Sequence, residues 1–237
     1  MINFIGTGSA FNTKLGNTSA FVKKNTSLLL IDCGGTVFHR LQKSNLLNGI
    51  ENLYIVITHT HPDHVGSLGD TIFYSYFILK HKPTIFFSNK EVIEGLLNKL
   101  GVTSDMYNLN TSDKVAVNDS QLGEFNIEFV PVSHVNTIPT HGFIMKLNNK
   151  IFYYSGDANS INSKILDNFK KGEINRIYQD TCGLDYDGNA HLSLKKLCEA
   201  IPEELRDKVY CMHLDEHVEE KAIEDNGFNL AKVSGDK

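Results

Sequence analysis

Apolar residues recur along this chain in short blocks, and their period changes from block to block. "NLYIVIT" (52–58) and "KPTIFFS" (82–88) are almost continuously apolar and rich in β-branched or aromatic residues, which predicts strands buried on both faces. "MINFIG" (1–6) predicts an opening strand ended by a turn at Gly6 and Gly8, and "SAFVKKNTSLLLID" (19–32) two strands with "KKNTS" as the hairpin turn. "FNIEFVPVSHV" (125–135) alternates as a strand does. "GFIMKLNNKIFYYSGD" (142–157) predicts two strands joined at Asn148-Asn149, residues suited to a tight hairpin turn. "RIYQDTC" (176–182) and "DKVYCMHL" (207–214) read as later strands.

Between these runs the spacing becomes helical. "CGGTVFHRLQKSNL" starts with a glycine turn and continues as a short helix. "VGSLGDTIFYSYFILK" (65–80) predicts one continuous helix, and "NKEVIEGLLNKLG" an amphipathic one closed by Gly101. Further helices are expected over "SKILDNFKKG", "HLSLKKLCEAI" and "HVEEKAIEDNGF". Strands and helices alternate in both halves, with no Pro/Ser-rich linker between them. The pattern predicts an α/β fold in which residues 1–237 form a single domain, two sheets with helices outside.

Composition narrows the class. The 237 residues are 41% hydrophobic, enough for a sizeable core. The formal net charge of −5 argues against a protein that lives on a phosphate backbone, so no stable nucleic-acid partner is expected. Cys33, Cys182, Cys198 and Cys211 contain no C-x-x-C pair and no disulfide framework, which fits reduced thiols in the cytoplasm. No signal peptide and no membrane-length apolar run is evident, so no membrane association is expected.

The chemistry is concentrated in "ITHTHPDHVGSLGD" (57–70), where His59, His61, Asp63 and His64 fall within six residues. Three imidazoles and a carboxylate at the end of a predicted buried strand suit a metal site. One loop cannot complete the coordination of two ions, so partners must come from elsewhere. His134, Asp157 and His213 each follow a predicted strand and supply candidates. Seven ligands exceed the needs of one tetrahedral zinc and suit two ions about 3.5–4 Å apart. The division expected is His59, His61 and His134 on one ion and Asp63, His64 and His213 on the other, with Asp157 bridging. Two Zn2+ fit this donor set, and Mn2+ or Fe2+ fit it too. Thr58, Thr60 and Asp32 are candidates to orient the imidazoles. Lone histidines beside strands are often ordinary core or surface residues, and Asp157 after a glycine suits a simple turn. Those alternatives weaken only because the loop cluster needs partners.

"THTHPDHVGSL" with spaced His134, Asp157 and His213 resembles the metallo-β-lactamase superfamily over essentially the whole chain. The resemblance implies an αββα four-layer sandwich with a dinuclear site on one edge. "GTGSA" and "IDCGG" resemble the branch that holds the transfer-RNA 3′-processing endonucleases of the ribonuclease Z type. "GNAHLSL" resembles the extra histidine motif of the phosphodiesterases in that branch, which implies a catalytic role for His191 beside Asp63. The bacterial transfer-RNA enzymes insert an RNA-gripping arm between the third and fourth motifs. Here only the 22 residues 135–156 lie there, already assigned to two strands, so no arm is expected. Length, "GTGSAF" and "HLSL" resemble the phage anti-Pycsar phosphodiesterases. That resemblance implies a homodimer hydrolysing 3′,5′-cyclic nucleotides such as cCMP and cUMP, countering a cyclic-nucleotide immune signal. An RNA endonuclease, a hydrolase of another small substrate on the same fold, and a metal-stabilised binding module stay open as alternatives. Tyr74, Tyr76 and Phe77 could stack on a base, but helix-face aromatics are more often core; His141, near the third motif, could touch substrate, with a strand-start histidine the commoner reading.

Overall fold

The computed structural model describes residues 2–234; both ends of the 1–237 span, including the Met1 start of the opening strand, lie outside them. The chain alternates strands with helices as its periodicity requires. In the first half these are β1 (Asn3–Gly6), β2 (Ser19–Lys24), β3 (Ser27–Ile31), α1 (Val37–Lys43), β4 (Asn52–Val56), α2 (Pro62–Val65), α3 (Leu68–Phe73), β5 (Thr84–Phe86), α4 (Lys90–Lys99) and β6 (Asn108–Asn110). The second half holds β7 (Lys114–Asp119), β8 (Gly123–Pro131), β9 (His141–Leu147), β10 (Lys150–Tyr154), α5 (Ser163–Lys170), β11 (Arg176–Asp180), α6 (Leu194–Ala200), β12 (Val209–Met212), α7 (Glu220–Asp225) and β13 (Asn229–Leu230).

Two sheets result. One runs β1-β2-β3-β4-β5-β6, the other β13-β12-β11-β10-β9-β8-β7. Each sheet combines an antiparallel hairpin or meander with a parallel stretch: β3 to β6 in the first, β10 to β13 in the second. Strand alternation decides what each face buries. Leu28 and Leu30 face helices, in a cluster with Val37, Leu41, Ile72 and Ile93. Leu29 and Ile31 face the other sheet, in a cluster with Phe125, Phe143, Tyr154 and Met212. Ile177, Val209 and Cys211 pack outward against Ile165, Phe169, Leu197 and Ile223 on helices. A one-residue slip of β3 would exchange these two apolar layers, so register is tightly set. On the inner face of the second sheet, the paired residues Phe143 and Tyr154 stack with centroids 5.3 Å apart, a contact worth about 0.5–1.5 kcal/mol beyond the area it buries. The architecture is αββα.

Local sequence explains the connections. Asn148 and Asn149 both take positive φ (50° and 62°), the conformation a two-residue hairpin turn needs. Asn89 caps α4 by accepting a hydrogen bond from Val92 N–H at 3.1 Å, worth about 1 kcal/mol. One expectation fails. The continuous helix over 65–80 is three pieces: α2, α3 and a wider π-helical turn at Tyr74–Leu79. That turn points Phe77 and Ile78 outward, so Phe77 is exposed and not core, while Tyr74 packs against the helical layer. Strands β6, β7 and β13 were not evident in the residue pattern; β6, "NLN", is short and polar, and β13 spans only Asn229–Leu230. Among the described residues no helix is long and apolar enough to cross a membrane.

Candidate metal centre and its cleft

The parallel strands in both sheets end at the same rim, and the polar side chains collect there. His59, His61, Asp63 and His64 follow β4; Asp157 follows β10 and His213 follows β12. His134 comes from the loop after β8. Two groups of donor atoms form, each within 4.8 Å of one another: His59, His61, His134 and Asp157, then Asp63, His64, Asp157 and His213. Asp157 belongs to both, so the grouping drawn from the residue pattern is the one the backbone brings together.

The short distances show how tightly these atoms converge. His59 Nε2 lies 3.0 Å from His61 Nδ1, and His134 Nε2 lies 3.3 Å from the same nitrogen. His64 Nε2 and Asp157 Oδ1 are 3.1 Å apart, and His213 Nε2 lies 3.1 Å from Asp63 Oδ2. Yet His64 Nε2 and Asp157 Oδ1 are buried with no well-aligned hydrogen bond. Buried polar atoms seldom go unpaired. Two such atoms 3.1 Å apart without a hydrogen bond between them are what a pair of metal-ligand atoms would leave. Imidazole nitrogens grouped with carboxylate oxygens in this way fit a metal cofactor.

The outward nitrogens are held by the protein. His64 Nδ1–H donates to Asp32 Oδ2 at 2.9 Å, and His134 Nδ1–H to the Ala190 carbonyl at 3.0 Å. Thr58 Oγ1 lies 3.1 Å from His59 Nδ1 and donates to Asp32 Oδ2 at 2.9 Å. This arrangement frees His64 Nε2 and His134 Nε2 for the interior. Asp32 and Thr58 therefore take the orienting place expected of them; Thr60 makes no hydrogen bond in this network.

Two turns aim the donors. Gly156 has φ +58°, and a methyl there would meet the His141 carbonyl oxygen at 2.8 Å and Thr58 Cβ at 2.9 Å. Only glycine lets the chain leave β10 and deliver Asp157. Asp32 and His213 themselves sit at φ 57°, a left-handed conformation that costs a non-glycine residue about 1–2 kcal/mol.

Burial and neighbouring charge set the ionisation of the cluster. Burial keeps His59 and His61 neutral by lowering their pKa. Burial alone would also lower His213, but Asp157 and Asp180 outweigh it and push it up to about 10. For Asp157, burial opposes ionisation, and the facing His213, His64 and His59 hold the carboxyl well below the usual range.

Asp180, at the end of β11, joins the cluster unannounced by the residue pattern. It forms a third donor group with Asp157, His191 and His213. Asp180 Oδ2 accepts from His191 Nδ1–H at 2.7 Å and from Ala158 N–H at 3.0 Å. Burial would lower the pKa of His191, but the Asp180 carboxylate raises it overall. His191 stacks on His213 with centroids 5.1 Å apart and remains partly open to solvent. The signal for Asp180 was its position: like Asp157 and His213, it is a polar residue closing an apolar parallel strand.

Above the cluster lies a cleft of about 710 Å³, lined among others by Phe11, His61, Asp63, Cys182, Tyr186 and His191. Tyr74, Tyr76 and Phe77 do not line it, and His141 opens β9 with Ser88 Oγ 3.1 Å from its ring, as a strand-start histidine.

A family model described as Anti-Pycsar protein Apyc1 matches residues 1–234. The chain belongs to the Anti-Pycsar protein Apyc1 family. An Apyc1 from Bacillus phage BSP38 is 32% identical over 239 residues, covering 92% of this chain and 90% of the relative. An Apyc1 from Paenibacillus harenae is 29% identical over 228 residues, covering 92% and 91%. The metallo-β-lactamase fold protein YhfI from Bacillus subtilis superposes with a TM-score of 0.74 at 16% identity, covering 98% of this chain and 95% of YhfI. The fold is thus the metallo-β-lactamase sandwich, and the resemblance carried by "GTGSAF" and "HLSL" led to the Apyc1 family.

Proposed function

We propose that this protein is a metal-dependent phosphodiesterase that hydrolyses 3′,5′-cyclic nucleotides, such as cCMP and cUMP, to nucleoside monophosphates, and so counters Pycsar antiphage signalling. The observation that carries it is the pair of donor groups sharing Asp157, with His191 and its Asp180 partner beside them, in an Apyc1-family chain. His59, His61 and His134 would hold one divalent ion, Asp63, His64 and His213 the other, with Asp157 common to both. Zn2+ suits these donors, with Mn2+ or Fe2+ as substitutes. When bound, the ions supply positive charge for the transition state and acidify water at neutral pH.

The chain's own residues do the rest. Asp63 Oδ2 is engaged by His213 Nε2 at 3.1 Å and His64 Nε2 at 3.3 Å. Its carboxyl is held ionised by those histidines against the opposing effect of burial, so it acts as an acceptor that aims water at phosphorus. The water oxygen joins phosphorus, one ribose P–O bond breaks, and the ring opens. His191, its Nδ1–H anchored on Asp180, presents Nε2–H to the departing ribose oxygen or to a phosphate oxygen. The water's proton passes to solvent. The free cysteines fit a reducing cytoplasm, and the family resemblance favours a homodimer with no nucleic-acid or membrane partner.

A substrate panel tests this. Zn2+-loaded protein and its His61→Ala variant are given cyclic mononucleotides, cyclic dinucleotides, bis(p-nitrophenyl) phosphate and a precursor transfer RNA. Turnover of cyclic mononucleotides by the protein and not by the variant is the expected result. Cleavage of the transfer RNA alone, or of nothing phosphorylated, overturns the reading. Light scattering on the same sample reads the mass of the assembly.

A further inference from the structure

A second concavity, of about 790 Å³, shares no lining residue with the cleft above the donor cluster. The loop after β1 serves both hollows: Ser9, Phe11 and Asn17 line the cleft, and Lys14 and Leu15 line this groove. Three cations from two separate segments meet in it, Lys14 from the loop and Arg40 and Lys43 from α1, and its lining holds no carboxylate side chain. The whole chain carries a net charge of −5, so the groove runs against the charge of the molecule. Among the described residues none of these three pairs with a carboxylate, whereas Lys114, Lys195 and Lys221 each do.

Arg40 is the fixed member of the set. Its Nη1–H donates to the Ile5 carbonyl at 2.8 Å, and its guanidinium lies against Gly16, where a methyl would collide with it. Gly16 also takes φ +69°, so the loop needs glycine there on both counts. The Ile5 bond occupies one edge of the planar fork, and the other N–H groups are left for an acceptor. A helix end favours cations, which accounts for Arg40 and Lys43 in the last turn of α1. It does not account for Lys14, nor for a guanidinium held rigid between two backbone segments. Like charges gathered round one hollow repel, and an anion in the hollow relieves that repulsion.

The rest of the lining is apolar. Leu15 and Leu46 are half-buried, with the buried Phe4 and Phe21 beneath. The volume falls within the range of about 300–1,000 Å³ usual for small-molecule sites. Cations beside an apolar floor fit an anion that carries an organic group.

We propose that this groove binds a phosphate monoester dianion, its phosphate held by Arg40, Lys14 and Lys43 and its organic part laid on Leu15 and Leu46. Charge selects the class: clustered cations favour the nearly double charge of a monoester at neutral pH over the single charge of a cyclic diester. The groove is thus a site separate from the donor cluster, whatever the cleft cleaves.

Backbone-amide NMR on the metal-loaded full chain locates the ligand. UMP, glucose 6-phosphate, inorganic phosphate and cUMP are titrated in turn at pH 7.5. UMP or glucose 6-phosphate should shift the amides of Ile5, Leu15, Phe21 and Ser44, while those of His61 and Cys182 report separately on the cleft. The two esters tell a nucleotide from a sugar phosphate as the better ligand. Lys14→Gln combined with Lys43→Gln, both at exposed positions, should weaken groove binding about tenfold and leave the cleft shifts in place. Arg40→Lys keeps the charge and loses the fork, and should weaken groove binding as well; the lysine pair carries the test if that variant does not fold. Shifts confined to the cleft, or groove shifts that survive unchanged without the two lysines, overturn the site. Inorganic phosphate or cUMP bound in the groove as tightly as either ester overturns the ligand class.

Discussion

Asp180 reaches two histidines at once: its Oδ2 lies 2.7 Å from His191 Nδ1, and its Oδ1 lies 3.3 Å from His213 Nδ1. One buried carboxylate therefore anchors the ring of the proposed proton donor by a hydrogen bond and faces the ring of a proposed metal ligand at charge-contact distance. Replacing Asp180 with Asn leaves the shape and removes the charge. Turnover, bound metal or both should fall about 10–100-fold, the usual cost of losing a carboxylate behind a ligating histidine. Metal analysis beside steady-state kinetics separates the two effects, and wild-type values for both would remove Asp180 from the centre.

His191 and His61 should part company when each becomes Ala. His191 lies outside the two groups that share Asp157 with the histidine-rich loop, so His191→Ala should keep its metal and lose about 10²–10⁴-fold in kcat. His61→Ala should lose metal as well as activity, since His61 stands within 3.3 Å of both His59 and His134. Equal metal loss in the two variants would make His191 a ligand.

Gly34 lies against the backbone of Asp63. A methyl on Gly34 would collide with the Asp63 carbonyl oxygen, which belongs to rigid backbone. Gly34→Ala should destabilise the fold by about 1–3 kcal/mol and displace the carboxylate. A urea melt should show the first effect and reduced metal content the second; unchanged values for both would mean the loop yields freely.

Cys33 and Cys211 should be inert in the folded protein. Burial pushes the Cys33 thiol up to about 11 and the Cys211 thiol up to about 12, and both are fully buried. Ellman's reagent at pH 8 should react with them only as fast as the protein unfolds, and with all four thiols promptly in denaturant. Rapid native reaction at either position would contradict the packing.

The sandwich was legible because Leu28 to Ile31 and the residues of β4 are apolar on both faces, which only a strand covered on both sides can tolerate. The loop ligands were legible because four donors within six residues have no use in a core. Asp180 was not, because nothing beside it in the chain has metal chemistry; its importance comes from His191 and His213, which only folding brings near. The π-helical turn escaped for a similar reason. "YSYFIL" has the apolarity of a helix, and the wider hydrogen-bond spacing leaves no mark on residue type.

The seven clustered donors come from both sheets: His59 to His64 from the first, His134, Asp157 and His213 from the second. Asp63 and His213, 150 positions apart in the chain, sit side by side. The cluster is therefore among the most non-local contacts of the molecule, and such contacts form late because a long loop must close before they are rewarded. Neither half of the nascent chain carries the full set. A ribosome-bound or partly folded chain thus lacks the completed donor cluster until the two sheets dock.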